Sequence, residues 1–470
     1  MANQTIDWKQ EAEKRKDAFL EDLFALLRID SVRDDDQATE DAPVGPGPKE
    51  ALEAFLQIGE RDGFKTKNFS NLAGHMEYGE GDEILGVLAH VDVVPTGTGW
   101  ETDPFDPVIK DGRIYARGSS DDKGPGMAAY YALKIIKDLG LPVNKKVRFI
   151  LGTDEESEWK GLTHYLSVEQ EPDFGFSPDA EFPIINGEKG NVTVYLETKG
   201  SNADGKAKLL SFQAGLRENM VPQNAVAVFE MENADDVPEA FQEFADGQPV
   251  TGTVGVDGNQ VTIEVVGKAA HGSHPEAGVN AATYLARFLT TLPFGGDAQQ
   301  FIQVTDLYLH DDPKGEKLGV AHTDRVMGEL SSNPGVFSFT EEDGGKIAVN
   351  MRFPRGTAGE QILEHAKEKM SQYDVEVSVG GEKEPHYVSP TDPLVRTLLD
   401  VYERQTGLEG HEQVIGGGTF GRLMKRGVAY GAMFPHSIDT MHQANEFMAV
   451  DDLMRAMAIY AEAIYELIKE

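Results

Sequence analysis

The sequence of 470 residues predicts an α/β domain, with a mostly parallel sheet and helices on both faces, interrupted by an inserted α+β domain. Short apolar runs alternate with helical apolar faces at both ends of the chain. The stretch from about Asn191 to Gly380 instead alternates apolar and polar residues, as half-exposed antiparallel strands do. The length also exceeds what a single ordinary core organises, so two or three domains are expected.

Along the chain, residues 1–27 read as an amphipathic helix rich in Lys, Glu and Asp. A secretory signal would need a continuous apolar stretch there. Residues 84–89 and 147–152 read as buried strands. Between them Met127, Tyr130, Tyr131, Leu133 and Ile136 make a helical apolar face after Gly124-Pro125-Gly126. Strand, helix, strand in that order suggests parallel pairing under a helical cover. In the middle, Val192, Val194 and Leu196, and later Val261, Ile263 and Val265, keep a period of two, while residues 280–292 and 358–371 suggest helices. The α/β pattern returns with a helix at 394–406, a strand at 429–434 and a closing helix at 451–469.

Composition narrows the function. Apolar residues are 40% and charged residues 26%, so a large core is available and disorder is not the default. The 43 Lys and Arg against 80 Asp and Glu give a net charge of -37, which makes nucleic acid a poor partner because phosphate contacts need clustered cations. No window reaches the length of a membrane span, so a soluble, cytoplasmic protein is expected. With no cysteine, disulfides and thiolate metal sites are excluded, and a zinc ion could be held only by His, Asp or Glu.

In an open α/β sheet ligands gather at the carboxyl ends of strands. Polar residues follow the apolar runs at four such places: His90-Val91-Asp92, Asp154-Glu155-Glu156, Asp179, and His442 beyond the last strand. A further pair, Asp121-Asp122, sits in the loop that begins Arg117-Gly118-Ser119-Ser120. Carboxylates and imidazoles converging on one sheet edge are what two zinc ions roughly 3.5–4 Å apart require. Taken singly, each has a plainer reading: a hydrogen-bonded His and Asp, a solvated Glu pair, a helix cap at Asp121-Asp122. Their recurrence at successive strand ends favours the metal reading.

These segments, with Ser177-Pro178-Asp179-Ala180-Glu181, Ala270-His271-Gly272-Ser273-His274-Pro275 and Met441-His442-Gln443-Ala444-Asn445-Glu446, resemble the aminoacylase and carboxypeptidase superfamily of two-zinc peptidases. The length and residues 176–190 look closest to its PepV type of dipeptidase. The resemblance implies a catalytic domain of residues 1–188 and 382–470 and a lid domain of residues 189–381. It implies two Zn2+ per chain, with Mn2+ or Co2+ left open. His90, Asp121 and Asp179 would bind one ion, and Asp121, Glu156 and His442 the other. Asp92 would orient His90, Glu155 would be the general base for a zinc-activated water, and a cis peptide would follow Asp121.

From the lid, the resemblance implies that His271 stabilises the oxyanion, Asn219 contacts the substrate nearby and Arg352 holds its C-terminal carboxylate. The loop Gly416-Gly417-Gly418-Thr419 would cradle the same end. His75, His164, His274, His386, His411 and His436 are read as surface or structural, and Met127 and Met454 as core. The expected function is hydrolysis of dipeptides with a free N-terminal amine by a monomer. A deacylase or desuccinylase of N-acyl amino acids, or a silent metal-binding protein, are the alternatives.

Overall fold

A computed structural model describes residues 6–469, which divide into two compact units. The first joins the chain up to Gly187 to the chain from Tyr387 onward, and the second is Glu188–His386.

The first unit is built on a six-stranded sheet in the order Lys65–Phe69, Ala73–Tyr78, Lys146–Gly152, Ile84–His90, Phe174–Ser177, Gly427–Ala429. The last four run parallel, and the first two add an antiparallel edge. Every residue of Ile84–His90 is buried, as a parallel strand covered on both faces must be. Leu85, Val87 and Ala89 join a core with the helices Lys123–Asp138 and Val450–Ile468, Met127 and Met454 included, while Leu88 and Ile150 face a smaller core with Leu162, Tyr165 and Phe420. Burying each large side chain here contributes about 1.5–3 kcal/mol. Gly124 lets the helix Lys123–Asp138 start hard against the preceding loop, since a Cβ there would lie 2.0 Å from the Ser119 carbonyl oxygen.

Two elements depart from expectation. Residues 1–5 lie outside the described residues, and the rest of the expected N-terminal helix is split into Trp8–Glu13 and Lys16–Leu27. The break falls at Arg15 (φ -107°, ψ 1°), whose guanidinium is drawn to the Glu11 carbonyl at 2.9 Å and to Asp138 at 3.2 Å. The expected strand 429–434 is likewise two short strands, Gly427–Ala429 and Ala432–Met433, because Gly431 adopts φ 73° between them.

The second unit is an eight-stranded antiparallel sheet in the order Thr251–Asp257, Gln260–Val266, Asn224–Met231, Ala207–Ala214, Ser331–Thr340, Gly344–Phe353, Gly190–Thr198, Glu376–Lys383. Val261, Ile263 and Val265 are buried while their neighbours are not, which is the alternation read from the sequence. The helices Val237–Ala245, Ala281–Leu289, Gly296–Val304 and Gly359–Met370 contribute to the same core. This unit runs past the expected residue 381, because the strand Glu376–Lys383 stays paired with Gly190–Thr198 as far as Lys383 opposite Asn191. Among the described residues no helix is long and apolar enough to cross a membrane.

Candidate metal centre

In the first unit the carboxyl ends of three parallel strands deliver His90, Glu155 with Glu156, and Asp179 to one place, and two loops add Asp121 and His442. The two oxygens of Asp121 face different imidazoles: Oδ1 lies 3.0 Å from His90 Nε2, and Oδ2 lies 2.9 Å from His442 Nε2. Asp179 Oδ2 stands 3.6 Å from the same nitrogen of His90, and Glu156 Oε1 stands 3.0 Å from the same nitrogen of His442. Candidate ligand atoms of His90, Asp121 and Glu156, and of His90, Glu155 and Asp179, lie within 4.8 Å of one another. With bonds of about 2.0–2.2 Å, two ligands of a tetrahedral zinc sit roughly 3.3 Å apart, so these separations fit the edges of such sites.

The surrounding contacts fix the orientation of these groups. His90 Nδ1 lies 3.0 Å from the Asp92 carbonyl oxygen and 3.3 Å from its Oδ1, which places the ring proton on Nδ1 and turns the Nε2 lone pair to the cluster. The Asp92 carboxylate also accepts the backbone N–H groups of Glu155 at 3.0 Å and Glu156 at 3.1 Å, so one residue positions two strand ends. The peptide bond between Asp121 and Asp122 is cis, and Asp122 accepts the His90 backbone N–H at 3.2 Å rather than capping the next helix with its side chain. His442 sits at φ 62°, a left-handed conformation that a non-glycine residue holds only when its surroundings demand it. Glu446, to which sequence reasoning gave no role, is fully buried. Its Oε1 accepts from Gly118, Ser120 and Asp121, and its Oε2 pairs with Arg117 at 2.7 Å.

Residues 86–466 match the model of the peptidase family M20/M25/M40. The chain belongs to this family, and it is a metallopeptidase. It is 45% identical over 466 residues to the Beta-Ala-Xaa dipeptidase of Lactobacillus delbrueckii subsp. lactis, covering 99% of each chain. Among solved structures, the fold resembles aminoacylhistidine dipeptidase from Vibrio alginolyticus (TM-score 0.57, 15% identity, 96% of this chain and 97% of that one). It also resembles human carnosine dipeptidase 1 (TM-score 0.55, 15% identity, 98% of each chain).

The electrostatics of this family member's cluster call for added positive charge. Burial, with Asp121 nearby, pushes Glu156 up to about 8, and burial likewise raises Asp179 and lifts Glu155 and Asp122 well above the usual carboxylate range. Hydrogen bonds to Asp121 and Glu156 raise His442 to about 11. Burial works against charge on His90, yet its bonds to Asp121, Asp179 and Asp92 leave it well above its ordinary value. So many buried carboxylates around two imidazoles are compensated best by cations held among them.

The remaining expected residues are placed as follows. In the inserted unit His271 and Asn219 come together. Met220 bridges to His271, and the Gly272 N–H donates to the Asn219 carbonyl at 2.8 Å. A Cβ on Gly272 would lie 3.0 Å from that carbonyl and 2.9 Å from Asn333 Nδ2, so a side chain there would crowd the turn. Asn333 braces the same turn by donating to the carbonyls of Glu218 at 2.8 Å and Met220 at 3.0 Å. Arg352 lies on the strand Gly344–Phe353 between Asn191 and Ser331. In the first unit Gly416 lies in a bend after Val414–Ile415, and the Thr419 hydroxyl accepts from Gly421 at 3.1 Å, capping the turn Phe420–Leu423. Thr419 therefore has a structural duty that the glycine-rich pattern does not reveal.

Proposed function

We propose that this peptidase is a dipeptidase that hydrolyses dipeptides carrying a free N-terminal amine. The observation that carries the proposal is the division of Asp121 between His90 and His442, with Asp179 on one side, Glu156 on the other and Glu155 buried beside them. His90, Asp121 and Asp179 would hold one zinc ion, and Asp121, Glu156 and His442 the second, with manganese or cobalt able to substitute. Ions bound there would supply the positive charge that acidifies a water and polarises the scissile carbonyl.

Glu155 is the general base. Its carboxylate takes the proton of the attacking water and returns it to the leaving amine. Asp92 keeps His90 presenting Nε2 and holds the backbone of Glu155 and Glu156. His271 donates to the oxyanion, Asn219 contacts the substrate near it, and Arg352 pairs with the terminal carboxylate as a planar fork. Gly416 and Thr419 would shape the backbone at that same end of the substrate. The 45% identity to a Beta-Ala-Xaa dipeptidase over nearly the whole chain supports a dipeptide substrate. We further infer a cytoplasmic monomer with no membrane or nucleic-acid partner, the latter supported by the charge of -37.

The test is hydrolysis of Ala-His, β-Ala-His, Leu-Gly, Leu-Gly-Gly, acetyl-ornithine and succinyl-diaminopimelate, with and without a chelator followed by zinc. Chelator-sensitive cleavage of the free dipeptides alone is expected. Cleavage of only the acylated amino acids would assign a deacylase, and no cleavage at all would leave a silent metal-binding protein.

A further inference from the structure

The loop that follows the strand Gln260–Val266 holds three polar side chains in a line. His271 Nδ1 meets both hydrogen-bonding groups of Ser273: the hydroxyl at 2.7 Å and the backbone N–H at 3.2 Å. A backbone N–H can only donate, so His271 Nδ1 must present its lone pair, because a proton there would point at the amide hydrogen. The short contact to the hydroxyl then takes the same sense, with Ser273 donating to His271. The other side of that hydroxyl lies 2.9 Å from His274 Nδ1. With its proton given to His271, the Ser273 oxygen accepts, and His274 supplies the hydrogen. One backbone amide therefore sets the direction of the whole chain, from His274 through Ser273 to His271.

We propose that Ser273 is a positioning residue which, backed by His274, holds neutral His271 in the tautomer protonated at Nε2. That tautomer makes Nε2–H a standing donor, the polarity that a developing oxyanion requires. The opposite tautomer would present a lone pair to a negative charge. The consequence for turnover rests on the oxyanion role proposed for His271; the tautomer itself does not. The turn has little freedom to rearrange, since the Gly272 N–H is tied to Asn219 and the His274 N–H donates to the His271 carbonyl at 3.0 Å.

The experiment uses the full metal-loaded chain labelled with 15N-histidine, at a pH above the imidazole range, with His271 assigned from the signals lost in His271→Gln. The wild type is expected to show a pyridine-type Nδ1 and a pyrrole-type Nε2 at His271, and the reverse pattern overturns the proposal. In Ser273→Ala the 3.2 Å amide contact remains and only the 2.7 Å hydroxyl donor is lost, so the two shifts should move part of the way towards each other; Ser273→Thr should restore them, and His274→Phe should give a smaller movement. A Ser273→Ala spectrum identical to the wild type would remove Ser273 from this role. On dipeptides, kcat of Ser273→Ala should fall about fivefold with KM little changed, the size of one ordinary hydrogen bond. If the tautomer shifts but kcat holds in both Ser273→Ala and His271→Gln, the tautomer assignment stands and the oxyanion role fails.

Discussion

The carboxylate of Glu446 accepts the backbone N–H of Asp121 at 3.2 Å. The same oxygen takes the N–H groups of Gly118 at 3.1 Å and Ser120 at 2.9 Å, so one buried side chain shapes the loop that presents the shared carboxylate. Replacing Glu446 by Gln keeps one acceptor but loses the charge that pairs with Arg117. Metal affinity should fall roughly 10–100-fold, as for other groups that orient ligands from behind. Competition with a chromogenic chelator reads this directly, and wild-type affinity would mean that the loop holds its shape without Glu446.

Glu155 can be separated from the ligands around it. Its oxygens approach the cluster with His90 and Asp179, but the pairs made by His90 and His442 are satisfied by Asp121, Asp179 and Glu156. Glu155→Gln preserves shape and removes the proposed base, so turnover should drop about 10²–10⁴-fold while both metals remain bound. Loss of metal in that variant would make Glu155 a ligand.

The architecture was legible where burial is complete. The run ending at Ala89 is apolar throughout because its strand is covered on both faces, and the run ending at Gly152 is apolar but for Arg148, which is buried and paired with Glu77 at 2.7 Å. Polar residues right after such runs stand out, which is why His90, Asp92, Glu155 and Glu156 could be singled out and why the structure finds them side by side. The break at Gly431 was not legible, since residues 429–434 are as apolar as an unbroken strand and a glycine in such a run does not announce that it will take φ 73°. The split at Arg15 was hidden for another reason: no glycine or proline marks it, and its contact with Asp138 is tertiary. Glu446 was hidden because one of its oxygens is held by three backbone N–H groups, which a sequence does not display, and Ser273 because its contacts with His271 and His274 depend on the shape of the turn.

Stability should depend on pH through His75, away from the candidate metal centre. Its ring is buried against Tyr165, at 2.8 Å from the hydroxyl, and burial pushes it down to about 4 from an ordinary 6.5. The folded state thus resists a proton that the unfolded chain accepts. The stabilising effect is complete above pH 6.5 and is lost as pH falls towards 4, amounting to about 3 kcal/mol. His75→Gln keeps a polar partner for Tyr165 and should flatten this part of the profile. Denaturant unfolding of both proteins across that range tests it, and equal slopes would rule out His75 as the source.

The sharing of Asp121 has a stoichiometric consequence that activity alone would not reveal. Removing His442 takes a donor from the pair it forms with Glu156 and Asp121, but leaves His90, Asp121 and Asp179 together. His442→Ala should therefore retain one metal per chain with little turnover. Removing Asp121 takes an oxygen from both groups at once, and Asp121→Ala should retain neither ion at concentrations where the wild type holds two. Native mass spectrometry of the three proteins counts the ions. Two ions in His442→Ala would put His442 outside the ligand set, and one ion in Asp121→Ala would show that the two groups do not depend on a common carboxylate.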